Sequence, residues 1–181
     1  MDNNEDGFEE DRTFLIQLFK AEIANSPLIY DFLEDENIHW IDDIDLACSM
    51  VLKTIKSANK DGLNILPLYK DNDNEKEFIL ELLSETIKRD SDNEKMIETL
   101  VKNWEFERIA KMDVLLLKMA ITELQCFDSI PTKVTINEYI DISKYYSTPK
   151  RNVFINGILD KSLELLTKEN KINKSGRGLI Q

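Results

Sequence analysis

The chain holds one histidine, His39, and two cysteines, Cys48 and Cys126. Zinc sites are assembled from clustered Cys and His, and acid–base catalysis near neutrality leans most on His, so both have almost no raw material. The two cysteines stand far apart in apolar, helix-like runs, which predicts buried free thiols in a reducing compartment rather than a disulfide. Five Gly and four Pro in 181 residues are too few for a turn-dense β architecture and favour long helices. There is no run of 18 apolar residues, and the N-terminus is acidic rather than basic and then apolar. Neither a membrane span nor a secretory leader is expected, and the expected compartment is the cytoplasm. Also missing are a Gly-rich phosphate loop, a Ser-His-Asp set and a dinucleotide fingerprint. Carboxylates are plentiful, but they fall on helix starts and solvent faces, where a charged face explains them without chemistry. No catalytic residue, metal or cofactor is expected.

Charge is unevenly placed. Residues 1–50 hold 14 acidic and 2 basic side chains, whereas residues 51–181 hold 21 of each. Within the latter, residues 133–181 hold 9 basic and 5 acidic side chains. The acidity belongs to the first fifty residues, and the mildly basic C-terminal part permits contact with phosphates.

Helical periodicity runs through most of the chain. After an acidic, disordered stretch at 1–7, a helix is expected from Phe8 to Ala24. Ser26 and Pro27 then cap and open a second helix. A third begins at Asp42 and Asp43, and residues 59–73 form a loop. Asn74 with Glu77, and Ser91 with Glu94, read as capping boxes. The stretch from Glu107 to Phe127 is apolar nearly all round, as a central helix covered on several sides would be. A helix ending near Tyr146 follows Pro131, and Ser147-Thr148-Pro149 separates it from a last helix ending near Leu166. The Lys-, Asn- and Gly-rich residues 168–181 read as a flexible tail. The expected fold is all-α, about seven to eight helices in two lobes. An acidic N-terminal helical region spans 8–73 and a C-terminal helical lobe spans 74–167.

Three segments carry the specific signal. WEFERIAKMDVLLLKMAITEL holds Trp104, Arg108, Asp113, Leu117, Lys118, Ala120, Glu123 and Leu124 in fixed register. VTINEYIDISKYYS holds Val134, Ile136, Asn137, Glu138, Lys144 and Ser147. FINGILD holds Phe154, Asn156, Gly157, Leu159 and Asp160. In this order and with these gaps, the pattern resembles the C-terminal lobe of the NusB family over about a third of the chain; residues 75–103 match the preceding helices more loosely. The resemblance implies a NusB-like helical bundle that performs no chemistry. It implies binding to the single-stranded boxA element of ribosomal RNA transcripts together with NusE, a small-subunit ribosomal protein. Through that complex it implies an indirect link to the RNA polymerase elongation complex in transcription antitermination.

The resemblance places the RNA surface around the last inter-helix turn, at Lys144, Tyr146, Lys150, Arg151, Asn152 and Phe154. Lysine and arginine can neutralise phosphates there, and Tyr146 can stack on an unpaired base. Each has a plainer alternative: core packing for Tyr146 and Phe154, a solvated turn for Lys150 and Arg151. Gly157 suits a close helix crossing. Asn137 and Asn156 suit backbone satisfaction, and Glu123 with Arg108 suits an ion pair within the bundle.

One departure stands out. Members of the family usually begin with an Arg-rich segment, whereas this chain begins MDNNEDGFEEDR. Either the chain lacks that segment, or an acidic helical insertion separates it from the rest. Residues 1–50 repel RNA unless they point away from it, so weak boxA binding is expected of the chain alone. Two other readings stay open: a protein-interaction module of the same fold with little RNA affinity, and the NusB-like accessory domain of an RNA methyltransferase.

Overall fold

The computed structural model describes residues 7–67, 72–101, 109–147 and 149–179. The expected helix start at Glu107, and Trp104 and Arg108 of the first motif segment, lie outside the described residues. Eight α-helices account for most of what is described, and no strand is found among the described residues. The architecture is all-α, as the periodicity predicts. The chain divides into two compact units, residues 1–70 and residues 71–181.

The first unit holds three helices. Helix α1 (Gly7–Leu18) continues into a wider turn at Phe19–Ile23, closed by Ala24 N–H donating to Phe19 O at 2.8 Å. Helix α2 (Pro27–Glu36) opens with Pro27, whose missing N–H is no loss in a first turn, after Ser26 in extended geometry. Helix α3 (Trp40–Ser57) begins slightly before Asp42 and Asp43, which sit in its first turn and favour its positive end. Polar contacts tie the three together. Arg12 Nη1 donates to Ala58 O at 2.9 Å, and the Tyr30 hydroxyl lies 3.0 Å from Asp45 Oδ1 and 3.2 Å from Ala24 O. Loss of solvent and the Asp45 carboxylate push the Tyr30 phenol up to about 12. Among the described residues only Ile44 is fully enclosed in this unit.

The second unit is built around α6 (Lys111–Cys126), packed against α4 (Asn72–Lys88), α5 (Asp90–Leu100), α7 (Thr132–Tyr146) and α8 (Pro149–Lys168). Leu116, Leu117, Ala120, Ile121 and Leu124 of α6 are buried. They meet Ile97 and Val101 on one side, and Ile136, Tyr139, Ile155, Ile158, Leu159 and Leu166 on others. Coverage is less complete than the uninterrupted apolar run calls for, since Met112 and Leu115 of α6 stay exposed. Phe78 of α4 meets Phe127 edge-on at 5.1 Å.

Polar groups inside this unit link helices. Asn93 is buried, and its Nδ2 donates to Thr122 Oγ1 at 2.8 Å and Lys118 O at 3.2 Å. Lys118 donates to Asp90 at 2.7 Å and Glu94 at 2.6 Å. Burial alone would lower the Lys118 ammonium pKa, but these two carboxylates outweigh it and raise it. The Ser91–Glu94 capping box is not formed. Helix α5 already starts at Asp90, without a side-chain cap, and Glu94 reaches Lys118 instead. Glu123 accepts from the Tyr139 hydroxyl at 3.2 Å; its expected partner Arg108 lies outside the described residues.

Residues 170–179, within the stretch whose composition suggests a flexible tail, fold back onto the second unit. Helix α8 closes with a Schellman motif: Lys171 N–H donates to Leu166 O at 2.9 Å and Asn170 N–H to Thr167 O at 3.1 Å. Asn170 takes the left-handed φ of 54° that this motif requires. Ile172 packs against the core. Lys174 Nζ then donates to Phe127 O and Ser175 N–H to Asp128 O, both at 2.9 Å. A short 3-10 turn, Gly176–Leu179, completes the strap.

Candidate nucleic-acid interface

The residues singled out for RNA contact lie in the last turn of α7 and the first two turns of α8. Ser147, in extended geometry, ends α7, and Pro149 opens α8 almost at once. A proline in the first helical turn loses no hydrogen bond, so so short a junction is permitted. It brings six sequence neighbours to one corner of the second unit.

The corner is less freely cationic than the sequence suggests. Lys144 is exposed and pairs with Asp141 one turn earlier. That hydrogen bond, with the carboxylate's charge, raises the ammonium pKa and keeps it charged. Arg151 donates through Nη1 to Asp113 Oδ2 at 3.1 Å. Its side chain remains 40% exposed, while that of Asp113 is only 1% exposed. Asn152 is half-buried, with Oδ1 3.1 Å from the Ser143 hydroxyl, which also lies 2.7 Å from Ile140 O. That single proton serves one acceptor at a time. Tyr146 is half-buried. Phe154 is half-buried and packs against the core cluster, as its packing alternative requires. Position 150 lies in the first turn of α8, but the Lys150 side chain is outside the described residues.

Asp113 and Ser143 hold two of these residues in place, and sequence reasoning assigned neither a role. Asp113 was visible as a motif residue and as a carboxylate inside an otherwise apolar helix. Such a group needs a charged partner, and that is the signal that could have led to Arg151. Among the described residues, no heavy atom beyond its own helix lies within 4 Å of where a Gly157 Cβ would stand. Asn137 is exposed rather than buried at a crossing.

Among the described residues no cluster of His, Cys, Asp or Glu could hold a metal ion, and no helix is long and apolar enough to cross a membrane. Cys48 and Cys126 are half-buried free thiols.

Comparison with known proteins agrees with the motif reading. The family model described as NusB family matches residues 45–164. The transcription antitermination protein NusB of Salinibacter ruber is 44% identical over 105 residues, covering 58% of this chain and 66% of the relative. The protein of the same name from Chloroherpeton thalassium is 40% identical over 105 residues, covering 58% of this chain and 50% of the relative. The match thus spans about half to two thirds of these relatives' length. A solved structure of T. maritima NusB superposes with a TM-score of 0.48 at 23% identity, covering 87% of this chain and 90% of that one. With the family model matched over more than half its length, this chain belongs to the NusB family.

Proposed function

We propose that this chain is a non-enzymatic, cytoplasmic RNA-binding factor of transcription antitermination. It binds boxA-type single-stranded RNA together with NusE and acts on the RNA polymerase elongation complex through that assembly. The observation carrying the reading is the α7–α8 corner, where Lys144, Tyr146, Arg151, Asn152 and Phe154 are gathered at one short junction with position 150 between them. A cation next to an aromatic ring is the pairing that single-stranded RNA uses, one group meeting phosphate and the other a base face. The relatives that match are named transcription antitermination proteins. Reversing the charge of Lys150 and measuring boxA RNA binding tests the placement: at least a tenfold loss is expected, and unchanged affinity moves the RNA face elsewhere.

A specific observation favours a second reading. Lys144 and Arg151 each have a carboxylate partner, so the corner's positive field is partly cancelled. A protein-interaction module with little RNA affinity fits that arrangement. Salt dependence separates the two, because phosphate contacts weaken steeply with added salt and apolar protein contacts do not. An accessory domain of an RNA methyltransferase needs a catalytic partner, and methyl transfer from S-adenosylmethionine by this chain alone is expected to be nil.

A further inference from the structure

A second group of cations stands near the last turn of α6, about 18 Å along that helix from Asp113 and the α7–α8 corner. A cavity of about 560 Å³ is lined there by Met96 and by Arg89, Asp92, Asn93, Lys95, Gln125 and Lys171. Three cations thus face one carboxylate, in a chain whose net charge is −12. Hydrogen bonds fix the polar walls. Asn93 spends its amide N–H groups on Thr122 Oγ1 and Lys118 O, and Gln125 Nε2 donates to Ile121 O at 3.1 Å. The Lys171 backbone is held by the Schellman motif that closes α8. Arg89 is held less completely. Its Nε is buried and has no hydrogen-bond partner among the described residues. Glu85 Oε2 lies 3.5 Å away, and the Glu85 carboxylate already accepts from Lys88 at 2.7 Å. A buried N–H without an acceptor is unfavourable, and an anionic acceptor would relieve it. Lys171 pairs with Glu169 at 2.6 Å, but both side chains are about half exposed, so the pair exchanges at little cost.

We propose that this cavity is an oxyanion site that takes a phosphate group, with Arg89 as its anchored ligand and Lys95 and Lys171 as movable ones. A guanidinium presents a planar fork of donors that matches phosphate oxygens, and a lysine meets phosphate as a point charge. A phosphate offers more acceptor oxygens than a carboxylate, which suits three cations lining one space. The volume is that of a small-molecule pocket, so the phosphate can remain attached to a larger group. A phosphate of an RNA backbone and a free or small-molecule phosphate present the same chemistry here. The site does not depend on the α7–α8 corner.

The test titrates the full, nitrogen-15-labelled chain with inorganic pyrophosphate, against sodium chloride of matched ionic strength. The Arg89 Nε–H cross-peak, identified by its loss in Arg89→Gln, is followed by NMR. It is expected to move saturably with pyrophosphate and not with chloride. Read from the backbone amides of Asn93 and Lys95, Arg89→Gln should weaken pyrophosphate binding about tenfold or more. Lys95→Gln and Lys171→Gln should each weaken it severalfold, with melting as the check that every variant folds. Single-stranded boxA RNA is then added to the wild type. Movement of the same cross-peak, reversed by pyrophosphate, assigns the site to a backbone phosphate. A peak that RNA leaves still assigns it to a free or small-molecule phosphate, and both results uphold the oxyanion site. A peak that pyrophosphate does not move, movement that never saturates, or amide shifts equal in wild type and Arg89→Gln would overturn it. None of these three results bears on RNA binding at the corner, which charge reversal at Lys150 reads separately.

Discussion

Arg151, at the start of α8, donates a hydrogen bond at 3.1 Å to Asp113, a carboxylate of α6 that is 1% exposed. The same guanidinium is a candidate phosphate ligand and the counter-charge of a buried acid. Removing it strands that acid. Arg151→Ala is therefore expected to destabilise the second unit by about 1–3 kcal/mol, less than a fully buried pair would lose because Arg151 is partly in water. Urea denaturation of variant and wild type checks this. An Arg151→Glu variant that loses RNA binding is uninformative unless its folding is measured too, which makes Lys150 the cleaner position for charge reversal.

The two polar links between α5 and α6 should differ in their effect on stability. Asn93 is buried and donates to two acceptors, so Asn93→Ala opens a cavity and leaves acceptors unpaired. A loss of about 1–3 kcal/mol is expected. Lys118 pairs with Asp90 and Glu94, whose side chains are 60% and 41% exposed and can rehydrate. Lys118→Met keeps the packing of the stem and is expected to cost about 1 kcal/mol or less. Equal losses for the two variants would contradict this account.

The helices were legible where their signal is local. The run from Leu115 to Leu124 announced a central helix, though Leu115 itself stays exposed, and Pro131 and Pro149 announced the starts of α7 and α8. What could not be read depends on partners distant in sequence. Arg151 finds Asp113, 38 residues earlier. Glu94 has the spacing of a capping residue, but a lysine 24 residues later takes it. The tail has the composition of a flexible segment, yet it docks on Phe127 and Asp128, more than forty residues upstream. The six candidate contacts were read from a resemblance, and the pairing of Arg151, Lys144 and Asn152 with Asp113, Asp141 and Ser143 came only with the fold.

Glu123 makes stability depend on pH in an identifiable direction. Burial raises its carboxyl pKa, outweighing the hydrogen bond from Tyr139. The unfolded chain releases this proton in the ordinary carboxylate range, and the folded chain holds it to higher pH. Between the two pKa values the folded state binds more protons, so this group's contribution to stability falls as pH rises. Glu123→Gln removes the titration and keeps an acceptor for Tyr139. The melting temperature of the variant relative to wild type should therefore climb between pH 4 and pH 7. A difference that stays flat across that range would show that Glu123 titrates normally.

The strap at the end of the chain depends on Gly178. A Cβ there would lie 2.0 Å from Asp128 O, a backbone atom with little freedom to yield. Gly178→Ala is expected to undock residues 174–179 while the helices persist. Hydrogen exchange checks it: the Ser175 amide, bonded to Asp128 O, should lose protection, and the amides of α6 should keep theirs.

The central claim is that the α7–α8 corner engages the phosphates of single-stranded RNA. Its most direct measurement is a fluorescence anisotropy titration of boxA RNA over a series of salt concentrations, for wild type and for Lys144→Glu/Lys150→Glu. Weak wild-type binding is predicted, falling steeply with salt at a log–log slope of about −0.7 per phosphate contact. The double reversal should show at least a tenfold loss and a shallower slope. Wild-type binding that ignores salt, or a double variant that binds as wild type does, would contradict it.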